Sequence, residues 1–474
     1  MISCGMSLLA SCLMAGLSCA HCATKPAAPV ANTQKNEIAP RAPANTGKPA
    51  TRTFASLADL LALPEHAAVP VKAMLPAFTA DWATASRTRA EAAEAATILQ
   101  QHEWKVRGQQ LKPQWDARAV TAAGKAMKFV VKRFGTAVIA AKLEGLQNSA
   151  ESAEGASVRW PLYISMHGGG QTSADTNDGQ WQNQIGLYQP ADGLYIAPRA
   201  PTDTWNLWHE AHMDPLLVAL IDAAIMLENV DPDRVYLMGY SAGGDGVYQL
   251  APRMADHFAA AAMMAGHPND VSPLGLRNLP IMLQVGVNDN AFDRANVAKR
   301  FGEQITKLHD ADSKGYSSVT KLHEGKGHWM DWQDAAAVPW MAEHKRNLWP
   351  DRVVWKQSGV THPELYWLAL PASVVPMAGA LVTARVFGQT ITLTRPEPAG
   401  SIPSITILLN DRLVDLDKPV KVMLEGEKTP LFEGSVKRTI ADVAAMIARR
   451  SDYGVAGDVP VAMVTVGILE KGTP

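Results

Sequence analysis

Val235-Tyr-Leu-Met-Gly-Tyr-Ser-Ala-Gly-Gly244 is the stretch on which the fold turns. Its first half is apolar at nearly every position and closes on a glycine, the pattern of a strand buried on both faces of a parallel sheet. Gly243-Gly-Asp-Gly-Val-Tyr-Gln-Leu250 then opens a predicted helix. Between the two, Gly239-Tyr-Ser-Ala-Gly243 predicts a sharp bend in which a side chain at either glycine would collide across the turn. Such a bend lifts the Ser241 hydroxyl clear of the sheet edge, and the first N–H groups of the helix point toward whatever bonds to it. This is the layout of a nucleophile elbow.

The chain on either side repeats the alternation. Met127–Phe134 reads as a strand, Gly135 breaks it, and Ala137–Leu146 fits either strand or helix. Further strands are predicted at Pro161–Met166, Gly193–Ala197, Val235–Met238, Ala259–Ala265, Ile281–Val285 and Val319–Leu322. Helical spacing falls between them at Asp214–Asn229, Val247–His257 and Asn296–His309. Strands alternating with helices predict an α/β domain over 127–350, a mostly parallel sheet with helices on both faces. Sheets of this kind bind ligands outside the carboxyl ends of their strands.

A serine hydroxyl is a weak nucleophile until a base takes its proton, so a histidine, an orienting acid and oxyanion donors are needed. His167-Gly-Gly-Gly170 follows a predicted strand, and its glycines let the backbone approach a substrate closely. An N–H near Gly169 joined by that of Ala242 is the expected oxyanion pair. His167 itself reads as structural, because it precedes the loop. Asp289 follows the strand Ile281-Met-Leu-Gln-Val-Gly-Val-Asn288 and is the favoured acid; Asp293, four residues on, is the alternative, its other reading being a pair with Arg294. His328, in Gly325-Lys-Gly-His-Trp-Met-Asp-Trp332, follows the candidate acid on a glycine-flexed loop and is the expected base, with His323 as runner-up. His267, in Ala265-Gly-His-Pro-Asn269, precedes the acid and is read as lining the pocket or as structural.

Trp181, Trp205, Trp208, Trp329 and Trp332 fall in predicted loops at the strand ends, so an aromatic-walled cleft is expected, with Trp205, Trp208, His267 and Trp329 touching substrate. His209-Glu-Ala-His212 lacks the His-Glu-x-x-His spacing of a zinc helix and has no third ligand beside it. No metal and no organic cofactor are expected.

Composition bounds what surrounds this unit. The chain has 474 residues, 47% of them apolar, and a net charge of −2. With a pI near 6.7 and a mean hydropathy of −0.07 it has no basic excess for a nucleic-acid partner. All four cysteines, Cys4, Cys12, Cys19 and Cys22, lie within residues 1–22, so the body is expected to have no disulfide framework. Residues 1–22 are small and apolar, as in an export signal. Leu9-Ala-Ser-Cys12 resembles the lipobox of bacterial lipoproteins, while plain cleavage near Ala20 to Ala23 is the competing expectation; no Lys or Arg precedes Lys25. Either outcome predicts a periplasmic or envelope protein, attached to the membrane only through a lipid anchor, with secretion as the alternative. Residues 23–52 read as a flexible linker rich in Ala, Pro, Thr and Asn. Residues 53–126 read as a helical extension, with helices at Phe54–Leu61 and Ala80–Gln101, the latter showing Arg87, Arg89, Glu91 and Glu94 on its polar side. From 351 to 474 a β-rich accessory domain is expected, with strands at Thr390–Thr394, Ser404–Leu409 and Val420–Leu424 and a helix at Ile440–Arg450.

The span from about Met127 to Trp349 resembles the α/β-hydrolase superfamily, in its esterase and polyhydroxybutyrate-depolymerase-like branch. The resemblance rests on His167-Gly-Gly-Gly170, Asp231-Pro-Asp-Arg-Val-Tyr236 leading into Gly239-Tyr-Ser-Ala-Gly-Gly244, Gly286-Val-Asn-Asp289 and Gly327-His328. It implies Ser241 as nucleophile, His328 as base, Asp289 as acid, and Gly169 and Ala242 as oxyanion donors. An exported serine hydrolase acting on small-molecule or glycan-linked carboxylic esters is therefore expected. Similar glycine elbows occur in prolyl-oligopeptidase-like peptidases, the alternative activity. A non-catalytic glycan-binding protein on the same scaffold is a further one.

Overall fold

The computed structural model describes residues 56–138, 159–454 and 458–468. The expected signal at 1–22, the linker at 23–52 and residues 139–146 of the ambiguous segment lie outside them.

Eight strands form the central sheet: β1 (Ala119–Ala122), β2 (Lys125–Phe134), β3 (Trp160–Met166), β4 (Gly193–Pro198), β5 (Val230–Tyr240), β6 (Ala260–Met264), β7 (Ile281–Gly286) and β8 (Ser318–His323). Their spatial order is β1-β2-β4-β3-β5-β6-β7-β8. β1 and β2 pair antiparallel, as do β2 and β4; from β4 to β8 every neighbouring pair is parallel. Six strands in parallel need five crossovers; four run through α2 (Ala174–Leu187), α3 (Met213–Glu228), α4 (Ala242–Arg253) and α5 (Arg294–Ala311), and the one from β6 to β7 through a short helical turn at Pro273–Asn278. α1 (Arg89–Asp116) precedes the sheet, and α6 (Ala337–Ala342) follows it.

Alternate residues of the apolar strands serve two different cores. Leu162, Ile164, Leu237, Met263 and Leu283 face the larger one, shared with α1, α3, α4 and α5. Tyr163, Tyr195, Tyr236, Met238 and Met264 face a smaller one, closed by residues of α2 and α6. Coverage on both faces is why these strands are apolar throughout. The connection after β3 runs to one side of it and the connection after β4 returns to the other. The carboxyl ends of β3 and β5 therefore flank the switch point, the place where an open α/β sheet leaves a crevice.

The region before the sheet differs from expectation. In place of one helix over Ala80–Gln101, a short turn at Asp81–Thr84 is followed by α1, which starts at Arg89 and runs to Asp116. A capping box sets the start: the Thr88 hydroxyl accepts the Glu91 N–H, while the Glu91 carboxylate accepts the Thr88 N–H at 2.8 Å. Arg87 therefore precedes the helix. Residues 119–122 are strand, not helix, because Ala123-Gly124 makes a tight turn with both φ positive that pairs β1 with β2.

Past residue 351 the chain builds a five-stranded and a four-stranded sheet, with α7 (Ile440–Arg449) packed on α1. α1 also packs on α3. Trp104 on α1 donates to the Ser451 carbonyl at 2.7 Å, and Arg107 pairs with Asp222 of α3 at 2.8 Å. One apolar cluster runs through α1, the central sheet and both later sheets.

Candidate active site

The elbow between β5 and α4 is built as its glycines require. Ser241 has φ 56° and ψ −121°, a conformation costing on the order of 1–3 kcal/mol that its surroundings must impose. Its N–H donates to the Met264 carbonyl at 2.9 Å and its carbonyl accepts the Asp245 N–H at 2.9 Å. A Cβ at Gly239 would stand 2.2 Å from the Gly243 carbonyl oxygen, and one at Gly243 would stand 2.1 Å from that of Met166.

The acid and the histidine come from the loops after β7 and β8. His328 Nε2 lies 3.0 Å from Ser241 Oγ, and its Nδ1 lies 2.7 Å from Asp289 Oδ2. Asp289 is buried, with Arg294 3.9 Å from its other oxygen; His328 is exposed at the surface. The two loops are tied together by the Asn288 N–H, which donates to the Lys326 carbonyl at 2.8 Å. Gly286 permits that approach, since a Cβ there would lie 2.1 Å from the Gly327 carbonyl oxygen. Asp293 stands apart. It is exposed and accepts from Asn296 at 2.6 Å and Arg300 at 3.1 Å, bonds that hold its carboxyl below the usual range. Its partner is thus Arg300 and not Arg294.

The glycine loop after β3 is anchored from below. Gly169 has φ +105°, and a Cβ there would lie 2.2 Å from Asn177 Oδ1. That oxygen accepts the Gly170 N–H at 2.9 Å, and the Asn177 amide donates to Asp203 at 2.8 Å. Arg199 holds Asp203 and Asp178 in turn. Among the described residues the N–H groups of Gly169 and Ala242 donate to no protein acceptor. His167 is buried beneath the loop. Its Nδ1 lies 2.6 Å from the Gly168 carbonyl and its Nε2 accepts the Ala200 N–H at 3.1 Å, so the proton sits on Nδ1. Burial pulls its pKa down to about 4.

The aromatic expectations divide. Trp205, Trp329 and Trp332 are exposed; Trp329 stands against Tyr240, the neighbour of the serine, and Trp332 against Trp329. Trp208 is not part of any wall: it is fully buried, donates Nε1–H to the His167 carbonyl at 3.0 Å and presents no surface to substrate. Trp181 is half-buried and donates to the Ala197 carbonyl. His267 is half-buried beside the elbow, its N–H on Asp245 Oδ1 at 2.6 Å and its Nδ1 accepting the Asn269 N–H at 2.9 Å. His323 is buried between Gln284 and Gln333. His209 stands edge-on to Trp205 while His212 faces Glu210. Among the described residues no cluster of His, Cys, Asp and Glu is arranged to hold a metal ion.

Two residues escaped the sequence reading. Tyr240, inside the elbow motif, donates its hydroxyl to the His328 carbonyl at 2.5 Å. Asn177 braces the glycine loop, and its position in the first turn of the helix after that loop was the available signal.

Residues 197–328 match the model of the Dienelactone hydrolase family, a span that contains Ser241, Asp289 and His328. The central sheet and its helices have the α/β-hydrolase fold. The chain is 29% identical over 161 residues to a bifunctional acetylxylan esterase/xylanase of Neocallimastix patriciarum, covering 32% of the present chain and 23% of that protein. Among solved structures it is similar to a thermostable esterase (16% identity, TM-score 0.36, 48% of this chain and 62% of that one). It is also similar to a ferulic acid esterase of Anaeromyces mucronatus (10% identity, TM-score 0.32, 48% and 88%).

Proposed function

We propose that the protein cleaves carboxylic esters through an acyl-enzyme intermediate. The observation that carries this reading is the unbroken hydrogen-bonded series from Asp289 through His328 to Ser241, at 2.7 and 3.0 Å. Ser241 Oγ attacks the ester carbonyl as His328 Nε2 takes its proton. The carbonyl oxygen becomes an oxyanion held by the Gly169 and Ala242 N–H groups, a kind of contact worth on the order of 3 kcal/mol per donor. His328 returns the proton to the departing alkoxide, and Asp289 keeps the imidazole in the productive tautomer. Water, activated by His328, then releases the acid.

The matched relative's acetylxylan esterase activity makes acetyl esters the first substrates to try. The purified protein should label with a fluorophosphonate probe and turn over short acyl esters in preference to aminoacyl-proline amides, and Ser241→Ala should do neither. A folded wild type that takes no label would exclude the enzyme reading and leave glycan binding. We further propose export through residues 1–22, with envelope attachment if Cys12 is lipidated; fractionation of cells expressing wild type and Cys12→Ala tests it.

A further inference from the structure

Building on ester cleavage, the geometry points to Trp329 and Trp332 as the subsite for the alcohol half of the substrate, and to an alcohol that carries a ring with a stackable face. The serine sits between two kinds of boundary. On one side is the glycine loop, whose N–H groups take the oxyanion. On the other is His328, the group that must reach the leaving oxygen to protonate it as the bond from acyl carbon to alcohol oxygen breaks. Whatever is attached to that oxygen must therefore extend over the His328 side. The residues there are aromatic. The Tyr240 ring stands 5.8 Å from the imidazole, Trp329 stands 5.8 Å from Tyr240, and Trp332 meets Trp329 edge to face at 5.0 Å.

Trp329 and Trp332 are 41% and 58% exposed, so the pair spends apolar ring surface on solvent. Its perpendicular setting, with planes at 81°, makes a corner in which each indole braces the other. The segment is also fixed from behind. Met330, between the two, is buried in the smaller core, and Asp331 is paired with Lys326 at 2.6 Å. That ion pair puts polar groups at the rim of the corner. A ring-bearing alcohol, saccharide or aryl, meets this surface with one face. A straight-chain alcohol does not.

Acetates of four alcohols test the inference on the full-length protein: ethanol, cyclohexylmethanol, methyl xylopyranoside and phenol. For wild type, Trp332→Ala and Trp332→Phe, kcat/KM reports attack and loss of the alcohol, while breakdown of the acetyl-enzyme is common to all four. Trp332→Ala should cut kcat/KM for ring alcohols about tenfold more than for ethyl acetate, and Trp332→Phe should restore most of it. Selective loss on the xylopyranoside identifies a saccharide alcohol, on phenol an aryl one, and on both the shared ring face. An equal loss on ethyl acetate, or a loss that instead follows acyl length across ethyl esters, would overturn the assignment. Fluorophosphonate labelling of each variant keeps this apart from the parent reading. Labelled protein without discrimination among alcohols removes only the subsite, whereas absent labelling in folded wild type removes ester cleavage itself.

Discussion

The hydroxyl of Tyr240 donates to the carbonyl of His328 at 2.5 Å, and the same ring meets the imidazole edge-on at 5.8 Å. Tyr240, next to Ser241, thus holds the loop that carries His328, across 88 positions of sequence. This bond ties the elbow strand directly to the His328 loop, adding to the Asn288–Lys326 bond that holds the same loop from the other side. Burial pushes the Tyr240 phenol well above its ordinary range, so it stays a donor at any working pH.

Tyr240→Phe keeps the ring and removes the donor. A hydrogen bond of this kind is worth about 1 kcal/mol, so kcat/KM on an acetyl ester should fall roughly fivefold to tenfold. Thermal stability should fall modestly, and Ser241 should still take label, more slowly. Unchanged turnover and labelling would mean that the loop is held without it.

The two candidate acids separate cleanly. Asp289→Asn should lower kcat by about four orders of magnitude, as losing the orienting acid does in serine hydrolases. Asp293→Asn breaks only exposed contacts with Asn296 and Arg300 and should change kcat by less than about twofold. Comparable losses in the two variants would reverse the assignment.

Two glycines should act through backbone position. Gly169→Ala places a methyl against Asn177 Oδ1 and disfavours the φ of +105°. Gly286→Ala places one against the Gly327 carbonyl and pushes the His328 loop away from the acid. Each should cost about a hundredfold or more in kcat while far-ultraviolet circular dichroism stays native. Full activity in Gly169→Ala would remove that loop from oxyanion binding.

Acid should weaken the fold through buried imidazoles. Burial pulls His167 down to about 4, and burial first, then Arg253, does the same to His209. In the unfolded chain both protonate near 6.5, so between about pH 6.5 and 4 the unfolded state binds more protons and stability drops with pH. For His167 the limiting slope is about 1.4 kcal/mol per pH unit. Thermal midpoints of wild type should decline over that window more steeply than those of His167→Asn, and parallel curves would count against a neutral His167.

Much of this protein was legible in one dimension. The elbow, the glycine loop, the acid after β7 and the histidine after β8 lie in short contiguous motifs, because each is shaped by a strand end and the turn that follows it. Runs buried on both faces announced the parallel sheet for the same local reason. Trp208 and Trp329 show where that stops: both sit in loops between a histidine and a large apolar residue, yet one is sealed under Gly246 against His167 and the other faces water. Position after the strand favoured Asp289, but only the 2.7 Å distance to His328 separates it from Asp293, and Tyr240 acquired its partner only when two strand ends met. Local sequence determines which turns and strands form, since those depend on backbone sterics and hydrophobic period. Which side chains end up facing one another is decided by packing between segments far apart in the chain, and only the tertiary structure carries that information.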